Sequence, residues 1–345
     1  MCGRQFVRTA PGAGTGNGKV PRMRLRILYH GNCFDGCSSA GLFARFYREH
    51  MAKTDLDIAY APLEHKGAGP AIPAHLYDGD ENVCVDFRYS QDPRLNWWFD
   101  HHVSAFQEPG DEAHFRADVS GRKFYDPAAR SCAKFLARTL TEKFGFDTAP
   151  VSELIEWAEV IDGALFPNPQ MPVELKEPAL RLMTWIENNR DLALAERFIE
   201  DLVSKPLAQI AAEPYVTEPL GPILEQHARN LETVRKVLRL EDNGAVAVTD
   251  LTGEKVGGLN KFIVYYLQPD VRYSVTTLMA GNKVKISVGS NPWSKVPRTH
   301  NIAAICERYG GGGHPVVGAI SVPGGDVEAA RKIAGEVLAL LKAPA

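Results

Sequence analysis

The residues most able to do chemistry fall at the ends of apolar runs. Asp100, His101 and His102 close LNWWFDHH, Asp86 closes VCVD, His30 and Asp35 sit in HGNCFDG, and Asp162 sits in VIDGALF. Taken singly, an Asp at a strand end forms turns or caps, and a His beside an apolar run is a partly buried polar residue. Together they suit a metal. Carboxylates just beyond buried strands carry a large desolvation cost, which one cation shared among several of them relieves. A mixed carboxylate and imidazole set fits Mn, Fe, Co or Zn better than Ca or Mg. A second motif, GGGGH at 310–314, exceeds what a helix stop needs. Gly311, Gly312 and Gly313 let backbone N–H groups face an anion without a Cβ in the way, and His314 adds a donor. No Lys-Ser/Thr follows, so this is not a P-loop.

These residues meet only if the elements bring them together. RLRILYHG, DIAYAPL, NVCVDF and LNWWFDHH read as strands, and their continuous apolar character fits a parallel sheet buried on both faces. The spacing predicts helices over CFDGCSSAGLFARFYREH, over DPAARSCAKFLARTLTEKFG entered through Asp126-Pro127, and over VSELIEWAEVIDGALF broken at Gly163. In such an α/β sheet the strand ends converge on one edge, where ligands bind, so His30, Asp86 and His101 would share a site. From about 175 to 240 the pattern is helical and charged, with Pro206, Pro214, Pro219 and Pro222 breaking it into pieces. A second α/β unit follows: AVAVTD as a strand, LNKFIVYYL as a helix, a hairpin across Gly281-Asn282, NIAAICERYG as a helix, VVGAISVP as a strand, and a last helix capped by Asp326. The expected organisation is a tail over 1–22 with no fixed structure, a metal-binding α/β domain over 23–174 with helices on both faces of its sheet, a helical linker over 175–242, and a smaller α/β domain over 243–345.

A chain of 345 residues, 45% hydrophobic and with net charge −3, is an ordinary two-domain globular protein. It lacks the basic stripe of a binder of long duplex nucleic acid. No apolar run approaches the roughly 20 residues of a membrane span. The six cysteines are scattered without a CxxC, which suits reduced thiols and a cytoplasmic location.

HGNCFDG, VCVDF, FDHH, VIDGALF and GGGGH, in that order over residues 25–323, resemble the DHH phosphoesterase superfamily with its DHH-associated C-terminal domain. The resemblance implies a centre of two Mn²⁺ ions that hydrolyses phosphodiester or phosphoanhydride bonds. His30 and Asp35 would be first-motif ligands, Asp86 would bridge the ions, His101 would bind one, and Asp162 would complete the set. His102 would face the substrate phosphate and Asp100 would orient its neighbours. Arg298, whose planar fork suits phosphate, would grip the substrate together with Gly311, Gly312, Gly313 and His314. The implied substrate is a short oligonucleotide or a linear or cyclic dinucleotide, cleaved by metal-activated water; a homodimer is left open. One departure matters. The family's first motif carries two aspartates, and a straight alignment puts Phe34 and Gly36 in their places with Asp35 between. One metal site is then short of a ligand, with an Asn32 oxygen or a Cys33 thiolate as substitutes. Two other readings stay open: a nucleotide-binding or regulatory protein that kept the fold and lost turnover, and a phosphoanhydride hydrolase.

Overall fold

The computed structural model describes residues 22–52, 55–64 and 72–344. The tail expected over 1–22 falls, up to residue 21, outside the described residues. In the first lobe the chain runs β1 (Met23–His30), α1 (Phe34–Phe46), β2 (Leu56–Leu63), β3 (Glu81–Val85), β4 (Leu95–Asp100), α2 (Asp111–Arg116), β5 (Lys123–Tyr125), α3 (Cys132–Phe144) and α4 (Ser152–Asp162). The five strands form one all-parallel sheet in the order β2-β1-β3-β4-β5. Successive side chains of a strand alternate between faces. Ile27, Tyr29, Val83, Val85, Trp97 and Phe99 therefore pack under α1 and α3, while Leu28, Cys84 and Trp98 pack on the opposite face against Phe87, Tyr89, Ala105 and Phe115. Burial of both faces explains why these strands read as unbroken apolar runs.

Next come α5 (Gln170–Glu174), α6 (Pro178–Asn188), α7 (Leu192–Leu202), α8 (Leu207–Ala211) and α9 (Pro214–Val237). Ala179, Leu182, Trp185, Phe198, Ile199 and Val216 of this segment belong to the first lobe's core. The second lobe holds β6 (Arg239–Glu241), β7 (Val246–Leu251), α10 (Ile263–Leu267), β8 (Tyr273–Ala280), β9 (Lys283–Ser290), α11 (Ile302–Glu307), β10 (Gly312–His314), β11 (Val317–Val322) and α12 (Val327–Lys342). Its sheet has the order β10-β11-β9-β8-β7-β6, parallel only between β7 and β8. The lobes share an apolar cluster that includes Phe166, Val173, Leu180, Val234, Leu251 and Ile263, with Trp293 packed against it. The Trp293 indole donates to the Phe166 carbonyl at 2.7 Å.

Three local expectations are corrected. The helix expected from Asp126-Pro127 starts later, at Cys132. Ser131 is its N-cap and accepts from Lys134 N–H at 3.1 Å, while Asp126 instead holds a turn by accepting from Ala128 N–H. Pro219 and Pro222 do not break the linker but lie inside α9. Each removes one helix hydrogen bond, and burial of Tyr215, Val216 and Leu220 keeps the helix continuous around them. The short β5 and α2 had no clear signal. Lys-Phe-Tyr is too brief for a period to show, and α2 is held in part by Phe115 in the aromatic cluster around Trp98.

Candidate metal centre

Strand order reverses direction between β1 and β3, and at such a switch point two neighbouring strands send their chains to opposite sides and leave a crevice beyond their carboxyl ends. His30 is the last residue of β1. Asp86 follows the last residue of β3, and the pairing of Tyr29 with Val85 puts the two side by side. Val85 in turn pairs with Phe99, which places Asp100, His101 and His102 next to Asp86. The backbone at Asp86 takes a left-handed conformation, φ +57°, while its N–H still bonds the Phe99 carbonyl at 2.9 Å. That turn, which Asp tolerates better than most residues, aims the carboxylate into the crevice.

Asp86 is 1% exposed, and neither of its oxygens has a hydrogen-bond donor among the described residues. The surrounding imidazoles stand off instead. His30 Nδ1 lies 3.4 Å from Oδ2, His101 Nε2 lies 3.4 Å from Oδ1, and His102 Nδ1 lies 3.9 Å from Oδ1. Burial alone would raise the Asp86 pKa, but His101, His30 and His102 outweigh it and bring it below the usual carboxylate range. His101 is fixed from behind: its Nδ1–H donates to the Ala129 carbonyl at 3.1 Å, which turns Nε2 toward Asp86, toward Asp162 at 3.4 Å and toward Asp35 at 3.9 Å. Burial opposes its protonation, yet these carboxylates lift its pKa to about 10. Asp162, the last residue of α4, is pushed up to about 6 by burial and by Asp86.

Asp35 lies in the first turn of α1 and also holds the start of α3. Its oxygens accept from Cys132 N–H at 2.6 Å and Ala133 N–H at 2.9 Å. Each carboxylate oxygen keeps a second lone pair, so this tie does not close Asp35 to a cation. Burial and then Asp86 and Asp162 drive its pKa well up. Asp100, fully buried, accepts from His101 N–H at 2.9 Å and from the His102 ring at 2.7 Å. Burial works against a charged His102, and Asp100 reverses that, raising its pKa.

Three groups of donors thus have ligand atoms within 4.8 Å of one another: His30, Cys33 and Asp86; Asp86, His101 and His102; and Asp35, His101 and Asp162. The fit to divalent cations rests on the orphaned polar atoms. Asp86 Oδ1 and Oδ2 and Asp100 Oδ2 are all buried without a partner among the described residues, and native proteins leave few such atoms unexplained.

All five residues expected as ligands meet in this crevice, with Asp100 and His102 beside them. Arg298 and the glycine-rich motif do not join the cluster; they belong to the second lobe. Arg298 Nη1 donates to the His300 and Pro315 carbonyls at 3.2 Å, and Gly312–His314 form β10 at the sheet edge, where Gly313 and His314 are exposed. Two members of the site gave no clear sequence signal. The Ala129 carbonyl that orients His101 comes from the main chain, invisible in residue type. Cys33 was only one of two substitutes for a missing acid.

This is the two-lobed fold of the DHH phosphoesterases. The structure is similar to the pGpG-specific phosphodiesterase PggH of Vibrio cholerae at 19% identity and TM-score 0.66, covering 94% of this chain and 100% of that one. It is similar to an exopolyphosphatase-related protein of Bacteroides fragilis at 15% identity and TM-score 0.54, covering 93% and 92%. It is also similar to RecJ of Thermus thermophilus in complex with Mn²⁺, at 15% identity and TM-score 0.52, covering 92% of this chain and 52% of RecJ. No protein-family model matches the sequence, and no curated protein does. No helix among the described residues is long and apolar enough to cross a membrane.

Proposed function

We propose that the protein is a metal-dependent phosphodiesterase acting on short oligonucleotides, with linear dinucleotides as the first substrates to try. The observation that carries the reading is Asp86: a buried carboxylate with both oxygens unmatched, between three imidazoles at a topological switch point. The chain's similarity over the full length of a pGpG-specific phosphodiesterase supports the substrate class.

Divalent cations, Mn²⁺ foremost, would act as Lewis acids, polarising phosphoryl oxygens and making water a competent nucleophile at neutral pH. His30, Asp35, Asp86, His101 and Asp162 would hold them, with Asp86 shared. Ala129 and Asp100 keep the imidazoles of His101 and His102 oriented, the kind of outer support on which metal sites depend. His102, kept cationic by Asp100, would stabilise charge building on the phosphate. Arg298, the glycines 311–313 and His314 would bind the far end of the substrate from the second lobe. The low net charge and the absence of a basic stripe fit a small nucleotide better than a long strand.

The test is release of mononucleotides, with Mn²⁺, from a panel of 5′-labelled di- to pentanucleotides, cyclic dinucleotides and pyrophosphate. Turnover of short linear substrates that disappears in Asp86→Ala and His101→Ala supports the proposal. Turnover of pyrophosphate alone would favour phosphoanhydride chemistry, the reading that the exopolyphosphatase-related neighbour supports. Tight nucleotide binding with no turnover would make the protein a binder.

A further inference from the structure

We infer that Cys33 is a metal ligand, and that its thiolate makes one of two cation positions chemically softer than the other. The inference rests on the metal-centre reading above and concerns which atoms complete it. The first motif offers four residues for the missing acid, and the structure removes three. Phe34 is 1% exposed and packs in the core under α1. A Cβ on Gly36 would stand 2.1 Å from the His30 carbonyl oxygen, so no acid can occupy that position without displacing the end of β1. Asn32 is turned the other way: its side-chain amide donates to the Asn189 carbonyl at 2.7 Å and the Ile186 carbonyl at 3.3 Å, tying the loop to the end of α6.

Cys33 is left, and it points inward. It is the N-cap residue of α1, but its side chain makes no capping hydrogen bond, so the sulfur is not engaged by the helix end. Its Sγ lies within 4.8 Å of the ligand atoms of His30 and Asp86. The independent sign of a ligand there is Asp86, 1% exposed, with neither oxygen given a donor among the described residues.

The two positions then differ in kind. One has imidazole, thiolate and carboxylate from His30, Cys33 and Asp86. The other has carboxylate, imidazole and carboxylate from Asp35, His101 and Asp162, with His101 Nε2 only 3.4 Å from Asp86, which spans both. Thiolate favours Zn²⁺, Fe²⁺ or Co²⁺, whereas the oxygen-rich position accepts Mn²⁺ or Mg²⁺. On binding, the S–H proton goes to solvent and sulfur donates its lone pair to the cation.

Cobalt reads this directly, because only a sulfur ligand gives the near-ultraviolet thiolate-to-Co²⁺ charge-transfer band. Full-length wild-type protein titrated with Co²⁺ should show that band, and Cys33→Ser should lose it while keeping the visible ligand-field bands of cobalt at the other position. Cys33→Asp should keep binding two ions, lose the band, and shift preference from Zn²⁺ toward Mn²⁺. Should Cys33→Ser fold poorly, the wild type still decides the matter. Iodoacetamide labelling of Cys33, followed by peptide mass spectrometry, should slow about tenfold or more when Zn²⁺ is present, because the bound thiolate is no longer free to attack. Cobalt bound without the charge-transfer band, a band that survives in Cys33→Ser, or labelling indifferent to Zn²⁺ would overturn the assignment of Cys33 and leave the phosphodiesterase reading standing. No cobalt bound at all would overturn both.

Discussion

At the edge of the first sheet, Asp86 keeps two buried oxygens without a donor and Asp100 keeps one. At the edge of the second sheet, the glycine-rich stretch is paired and packed. A Cβ on Gly311 would stand 2.3 Å from the Ala319 carbonyl oxygen, and one on Gly313, at φ +152°, would stand 2.3 Å from that of Val317. The first region is an incomplete set of protein groups that a cation would finish. The second is already complete as a hairpin, and two of its glycines serve the fold whatever else they do. Two motifs that look equally chemical in a sequence therefore differ in what a substitution does to them. In the first, function goes before stability; in the second, folding goes before function.

The largest effect expected is at Asp86. Asp86→Ala should lower Mn²⁺-dependent turnover about 10³-fold, the scale of removing a group that stabilises the transition state. It should also abolish the stabilisation that wild type gains from the metal, about 2.7 kcal/mol when Mn²⁺ exceeds its Kd a hundredfold. Calorimetry with and without Mn²⁺ checks this, and a variant that still gains stability from Mn²⁺ would break the contrast between the regions.

Next is Gly313→Ala, which combines a backbone clash with an unfavourable φ and should cost about 2–4 kcal/mol of second-lobe stability. Gly312 has no atom within 4 Å of a Cβ position, so Gly312→Ala should stay within about 1 kcal/mol in denaturant unfolding. A raised KM in Gly312→Ala at unchanged stability would show that this motif touches substrate; equal destabilisation by both variants would contradict the packing argument.

A smaller effect is proton linkage. Asp162 titrates at about 6, above its ordinary value, because burial and Asp86 disfavour its charge. A cation must displace that proton, so below about pH 6 apparent Mn²⁺ affinity should fall roughly tenfold per pH unit for this group. His101, at about 10, carries a proton at neutral pH without metal, so binding at pH 7 should also release protons. Isothermal titration in buffers of different ionisation heat counts them, and affinity flat between pH 7 and 5 would remove Asp162 from the ligand set.

The smallest effects compare two helix caps. Ser131 caps α3 and Asp326 caps α12, and each change to Ala should cost about 1 kcal/mol. Only Ser131→Ala should also weaken Mn²⁺ binding, because the start of α3 supplies the N–H groups that hold Asp35.

The strands of the first lobe were legible because burial on both faces writes itself as apolar runs such as LNWWF, and the hairpin at Gly281-Asn282 because Gly281 sits at φ +63° where the turn needs it. Helix boundaries were less so. Asp126-Pro127 carries the signature of a helix start, yet Ser131 took the cap, since Asp126 engages Ala128 N–H and Arg138 instead. The donor residues could be named from types and order alone: His30, Asp35, Asp86, His101 and Asp162 are the acids and histidines that follow strands or lie on adjoining helices. Their meeting was decided by the parallel register of β1, β3 and β4, because contacts between residues 50 to 130 positions apart exist only once strands pair. The Ala129 carbonyl behind His101, the left-handed turn at Asp86, and the choice of Cys33 over Asn32 depend on main-chain direction and on side chains already spent elsewhere. Residue types fix which groups can bind a cation; only the packed chain fixes which still have lone pairs to give.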